Sequence, residues 1–311
     1  LNRVGTNTHT AGKPFTYDNV NTYYDFKEAR EGLYKKKESW FGRKLWNEHM
    51  VTLQGEDYWF TLDPAADLQL GFESANNEDQ SYTYNNTRAV IFQGGLGKNL
   101  NFYTVVYESQ GTFAGYFNRF ARSIRPDGGN PAIVPGRGVA AESASGDFDY
   151  PVAEGYLSYT PNKYFNFQFG HGKNFIGDGY RSLLLSDNMF NYPYLKIQTT
   201  FWKVQYTNLY AELMDINYFT THGLPNWDQM GYPKKYLSSH YLSVNATKKF
   251  NLSLFESVVW RMNHAPGSRG FDINYLNPIV MLRPIEFSVN SPDNVLVGIN
   301  TKYAFKSSYM C

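Results

Sequence analysis

Tyr164-Phe165-Asn166-Phe167-Gln168-Phe169-Gly170 decides how this chain is read. Phenylalanine holds positions 165, 167 and 169, while an amide or glycine holds 166, 168 and 170. Side chains of a strand point alternately to opposite faces, so one face of this segment is hydrocarbon and the other polar. The same period recurs in Leu195, Ile197, Thr199 and Phe201 against Lys196, Gln198 and Thr200. It returns in Leu242, Val244 and Ala246 against Tyr241, Ser243 and Asn245. The rule breaks over Leu252 to Trp260, where Glu256 shares the parity of Leu252 and Leu254. Either a bulge shifts the register there or that face turns inward.

Working outward, the whole chain carries 26 Tyr and 23 Phe in 311 residues, yet only 42% of its side chains are apolar. Its mean hydropathy is -0.49. Rings stand beside Asn, Ser, Thr, Lys and Gln in alternation instead of behind runs of Leu, Ile and Val. A strand with one face to lipid and one to an aqueous lumen requires that pattern, so the expected fold class is all-β, a large antiparallel transmembrane β-barrel. A soluble β-sandwich or jelly roll also uses aromatics and alternation. The crowding of rings at strand ends, as in Tyr58-Trp59-Phe60, Phe201-Trp202 and Tyr303 with Phe305, fits the interfacial girdles of a barrel better.

Bulk properties exclude little else. A formal net charge of +1 gives no electrostatic case for a nucleic-acid partner. No stretch approaches the roughly 18 to 20 apolar residues of a spanning helix, so a bilayer would have to be crossed by strands. The single cysteine, Cys311, can form no internal disulfide. Leu1 is preceded by neither Met nor a signal peptide, and Tyr309-Met310-Cys311 follows a strand-like run closely. Both ends therefore read as incomplete, with C-terminal strands expected beyond Cys311.

Two regions are expected. Residues 1–57 hold the charged run Lys27 to Lys37 and helix-compatible spacing of Tyr23, Phe26, Ala29, Leu33 and Tyr34, which reads as a partly helical cap on a barrel mouth. Residues 58–311 read as the barrel, with strand candidates centred near 60, 70, 92, 104, 116, 157, 168, 198, 208, 243, 255, 281 and 298. Leu96 to Asn99 and Lys248 to Asn251 are tight-turn candidates, whereas Ile124 to Phe148, Gly172 to Tyr192, Asn217 to Ser238 and His264 to Asn277 are long and polar. Short turns at one end and long loops at the other orient an outer-membrane barrel.

Catalytic and cofactor signatures are negative. The six histidines are scattered without metal-ligand spacing, Gly170-His171-Gly172 with Gly177 lacks the spacing of a dinucleotide loop, and no nucleophile elbow is present. The expectation is a non-enzymatic protein with no cofactor and no metal. Two clusters are candidate polysaccharide sites. The first lies in His171 to Ser182, where Lys173, Asp178, Tyr180 and Arg181 sit among glycines and could bond sugar hydroxyls or an acidic polymer. The competing reading makes Lys173, Asp178 and Arg181 a salt-bridge network bracing the wall. The second comprises Arg119, Arg122, Arg125 and Arg137, interleaved with Tyr116, Phe117 and Phe120. Guanidinium beside rings suits anionic saccharide or lipopolysaccharide phosphate, although arginines also serve as ordinary lumen liners.

Several segments together resemble a known family. They are Lys13 to Tyr17, Ser39-Trp40-Phe41-Gly42-Arg43-Lys44-Leu45-Trp46-Asn47-Glu48-His49, Gly55 to Phe60 and, most specifically, Gly172-Lys173-Asn174-Phe175-Ile176-Gly177-Asp178-Gly179-Tyr180-Arg181-Ser182 with Leu183 to Asp187. The chain resembles outer-membrane proteins related to the capsule-assembly protein Wzi, especially the Bacteroidota branch that includes the gliding-motility protein RemB. The resemblance implies a barrel of about eighteen strands with an N-terminal helical segment near the periplasmic mouth. It also implies a place in the outer membrane with loops at the cell surface. The role it implies is attachment of surface polysaccharide or, alternatively, service in a gliding-motility or secretion complex with other outer-membrane proteins. It supplies no catalytic residues.

Overall fold

The computed structural model describes residues 6–74, 82–124, 132–216, 232–261, 263–264, 267–268, 270–278 and 293–305. Near the N-terminus lie the short strand β1 (Gly12–Lys13) and the helices α1 (Tyr17–Asn21), α2 (Phe26–Leu33) and α3 (Trp40–Trp46). Local chemistry starts the last two. The Asp25 carboxylate accepts from the amides of Lys27 and Glu28, and the Ser39 hydroxyl accepts from Gly42. The sheet then begins earlier than residue 58, with β2 (Val51–Gln54), β3 (Tyr58–Phe72), β4 (Tyr82–Leu96) and β5 (Leu100–Thr112). The segment expected as a strand near 116 is instead the helix α4 (Gly115–Ser123). Phe117, Ala121 and Ile124 repeat at helical spacing, and the Asn118 amide ties the helix start to both backbone groups of Phe113.

Next come β6 (Ala132–Val134), β7 (Gly138–Glu142), β8 (Phe148–Asn162), β9 (Phe165–Gly172), β10 (Phe175–Ile176), β11 (Tyr192–Phe201), β12 (Val204–Met214), β13 (Lys234–Val244) and β14 (Phe250–Arg261). Two short strands, β15 (Asn263–His264) and β16 (Gly267–Ser268), and a 3-10 turn at Ile273–Leu276 precede β17 (Asn294–Tyr303). Among the described residues, 13 strands join one antiparallel sheet: eleven follow the order β2-β3-β4-β5-β8-β9-β11-β12-β13-β14-β17, and β6 and β7 attach beside β8. The candidates near 60 and 70 are the two halves of β3, and the one near 281 falls outside the described residues.

Connections alternate as expected. Residues 97–99, 163–164, 202–203 and 245–249 make the turns at one end, while 73–81, 113–147, 173–191, 215–233 and 262–293 separate strands at the other. Gly97, at φ 60°, supplies the left-handed residue of the first tight turn, and Trp202, at φ 53°, does so in the third.

Register divides the sheet into two unlike faces. Phe167, Ile197, Asn208, His240, Glu256 and Val297 form one row across β9, β11, β12, β13, β14 and β17. The face containing it also shows Leu70 (78% exposed), Phe72 (93%), Val106 (58%), Phe169 (63%) and Ile299 (69%). The opposite face carries Asn85, Asn166, Gln168, Lys196, Gln198, Gln205, Thr207 and Ser243, all buried. Exposed hydrocarbon on one face and buried amides on the other reverse the usual distribution of apolar and polar side chains.

Three segments cover the polar face. Residues 6–13 cross it, with His9 Nδ1 at 2.8 Å from the Ser243 hydroxyl and the Asn245 amide donating to Asn7 (3.0 Å). The segment after β9 meets this strap through pairing of Gly12 with Ile176 and Lys13 with Phe175. Ala11, Ile176 and Leu185 then pack on Tyr192, Tyr194, Leu209, Tyr241 and Phe255. At the long-loop end, Ala121, Ala132, Val134 and Ala140 pack on Phe148, Tyr150 and Val152.

The Glu256 anomaly resolves without a bulge, because β13 and β14 pair in unbroken register from Lys235↔Arg261 to Val244↔Leu252. Glu256 stays on the apolar face beside Leu252 and Leu254, next to His240 and Asn208. A local cover makes this possible. The Ser238 hydroxyl donates to the Tyr275 carbonyl (2.7 Å), Tyr210 to Leu276 (3.0 Å) and Tyr206 to Pro278 (2.6 Å). Beneath it, Tyr275 and Trp260 pack with ring centroids 4.7 Å apart.

Candidate functional site on the polar face

The first predicted cluster divides between structural and accessible roles. Asp178 braces: it accepts from the Thr10 hydroxyl and the Asn300 amide (2.8 Å), and Lys302 approaches to 3.7 Å. That is the bracing role weighed above, reached through different partners. Lys173 donates to the Gly136 carbonyl. Burial, then the Arg137 guanidinium, pulls its ammonium below the usual lysine range, opposed by Asp187 and Glu154. Tyr180 is 90% exposed, and the Arg181 guanidinium lies 5.1 Å from its ring centroid.

The arginine cluster does not converge on one point. Arg122 Nε donates to Glu142 (2.8 Å) and its guanidinium lies 5.7 Å from the Phe148 ring centroid, which ties the end of α4 to β7 and β8. Arg119 is exposed on α4, and Arg125 lies outside the described residues. Arg137 does meet the first cluster. It lines a cavity of about 560 Å³ together with Lys173, Tyr180, Tyr107, Glu154 and Asp187. Cations, carboxylates and rings around one concavity provide the mixed donors, acceptors and stacking surfaces that a charged saccharide uses.

A second cavity, of about 550 Å³, lies against the same wall toward the short turns. Pro14 lines both cavities. Its wall includes Tyr103 and Tyr156, stacked at 5.6 Å between centroids, together with Asn166, Gln168, Lys196 and Gln198. The sequence presents these residues as the polar half of an alternating pattern. Nothing there separates a lysine that lines a cavity from one that snorkels to water; only the packing of Pro14 to Asp18 against the sheet makes that distinction.

Among the described residues, no group of three or more His, Cys, Asp or Glu side chains is disposed to hold a metal ion. Against this geometry, no protein-family model, no curated protein and no solved structure matches the chain.

Proposed function

We propose that this chain is a non-enzymatic β-barrel of the bacterial outer membrane that holds polysaccharide at the cell surface. One observation carries the reading: the sheet turns Leu70, Phe72, Phe169 and Ile299 outward and buries Asn166, Gln168, Lys196 and Gln198. Such a sheet gains by facing hydrocarbon, and a bilayer tolerates strands only when their edges are paired, so the reading has the wall close into a barrel. The alternation of short turns and long connections supports the same orientation, with the helices α1 to α3 on the periplasmic side and the long loops at the surface. The Lys173 and Arg137 cavity, lined by exposed Tyr180 with Arg181 against that ring, supports a polymer as ligand, and the outer-membrane setting makes lipopolysaccharide the surrounding lipid.

The deciding comparison is between cells with and without the chain, scored for polymer retained after washing. A marked loss that a plasmid copy restores supports the reading; unchanged retention overturns it.

A second reading, a structural subunit of a gliding-motility or secretion complex, draws on the exposed Phe41, Leu45 and Trp46 side chains of α3. Extraction of native membranes in mild detergent separates the two. Stoichiometric co-purifying proteins favour the complex, and a solitary barrel favours the polymer holder.

A further inference from the structure

Three neighbouring side chains of the polar face are largely buried, and their polar ends open unpaired onto the second cavity. Lys196 is 4% exposed, Gln168 5% and Gln198 7%. Lys196 stands opposite Gln168 across β9 and β11, and Gln198 follows two residues on, so all three point to the same side. None of the three side chains has a hydrogen-bond or ion-pair partner among the described residues. Their neighbour Asn166 differs, because its amide donates to Ser158 and Thr160 (both 2.9 Å). All four line the 550 Å³ cavity.

An ammonium largely withdrawn from bulk water with no counter-charge beside it favours an anion that enters its cavity. Asp18 also lines this cavity, but no ion pair joins it to Lys196 or to Lys98 at the rim. Two carboxamides beside a lone ammonium can donate to an anion and accept from hydroxyls at once. The adjacent Tyr103 and Tyr156 rings give a flat apolar surface of sugar dimensions. We infer that Lys196, Gln168 and Gln198 form a subsite for an acidic saccharide, with Lys196 taking the carboxylate of a uronic acid unit. The assignment rests on the polymer-holding reading and gives it a substrate class, a glycan bearing carboxylates, held on the short-turn side of the Pro14 boundary between the two cavities.

The test uses the full chain folded in a non-sugar detergent, titrated calorimetrically with tetragalacturonate and with neutral maltotetraose. The acidic tetramer binds at least about tenfold more tightly, and added salt narrows the difference. Lys196→Met loses about tenfold for the acidic tetramer and little for the neutral one, while Lys196→Arg retains most of the preference. Unheated electrophoretic migration identical to the parent shows that both variants are folded; should Lys196→Met fail to fold, Gln198→Leu serves in its place. Equal affinity of wild type for both tetramers, or an unchanged preference in the folded variant, overturns the subsite. So does inorganic phosphate that binds as tightly as the acidic tetramer, which would mark a free-anion site. Retention of polymer on cells is scored separately. Normal retention in Lys196→Met cells with loss in deletion cells overturns the subsite alone, whereas normal retention in deletion cells overturns the polymer-holding reading.

Discussion

Asp178 and Asn300, 122 residues apart in the chain, are joined by a 2.8 Å hydrogen bond from the Asn300 amide to the Asp178 carboxylate. The bond ties the segment after β9 to β17 across the polar face, and the Thr10 hydroxyl adds the N-terminal strap to the same carboxylate. One side chain thus holds three remote stretches of sequence together.

Asp178→Ala should therefore loosen the fold by about 1–3 kcal/mol, the cost of stranding partly buried donors. Asp178→Asn, which keeps an acceptor but loses the charge facing Lys302, should cost less. The temperature at which the compact, unheated band disappears from a detergent gel measures both.

His9 makes strap docking depend on pH. Burial first, then the Lys302 charge, lowers its pKa from 6.5 to about 4. A docked His9 is neutral between those values while a released one is protonated, so the released state binds more protons and docking weakens as pH falls through that window. Limited proteolysis near the N-terminus should be slow at pH 7.5 and faster at pH 5. His9→Gln, which does not titrate, should flatten the difference.

The two faces should respond oppositely to charge. Phe169→Arg places a cation on the apolar face and should cost about 2–4 kcal/mol if that face meets the bilayer midplane. Gln93→Lys, on the polar face, should cost well under half as much. Folding yield into phospholipid vesicles measures both, and equal tolerance would remove the case for a lipid-facing sheet.

The cover over the polar row should be separable from the wall. Tyr275 is fully buried against Trp260 and Val258, so Tyr275→Ala should cost about 3–5 kcal/mol locally, as large aromatic truncations do. A red shift in tryptophan emission, with the strand signal in circular dichroism unchanged, would locate the loss in the cover and not in the sheet.

Much of the wall was legible because its signal is local. The alternation in Phe165 to Gly170 specifies which side chains share a face without reference to any other segment, and the turn at Leu96 to Asn99 needs only its own glycine. Residues near 116 misled, since a short run with rings at both parities fits a strand and only the 3-to-4 spacing of Phe117, Ala121 and Ile124 marks a helix. Glu256 could not be assigned because its cover comes from Asp272 to Pro278, beyond the strand itself. The candidate site was half legible. Lys173 and Tyr180 announce themselves beside glycines, whereas Lys196 and Gln168 become distinctive only once Pro14 to Asp18 close the cavity they line. Asp178 carried the right chemistry for a ligand but is occupied by Thr10 and Asn300.

The two-residue ladder between Gly12–Lys13 and Phe175–Ile176 joins a strap rooted beside the short turns to a segment descending from the long loops. Displacement of the N-terminal stretch would therefore also disturb the segment that carries Tyr180 and Arg181. The strap thus works as a latch, pairing with one segment by backbone and with the sheet by side chains, so that releasing it frees both.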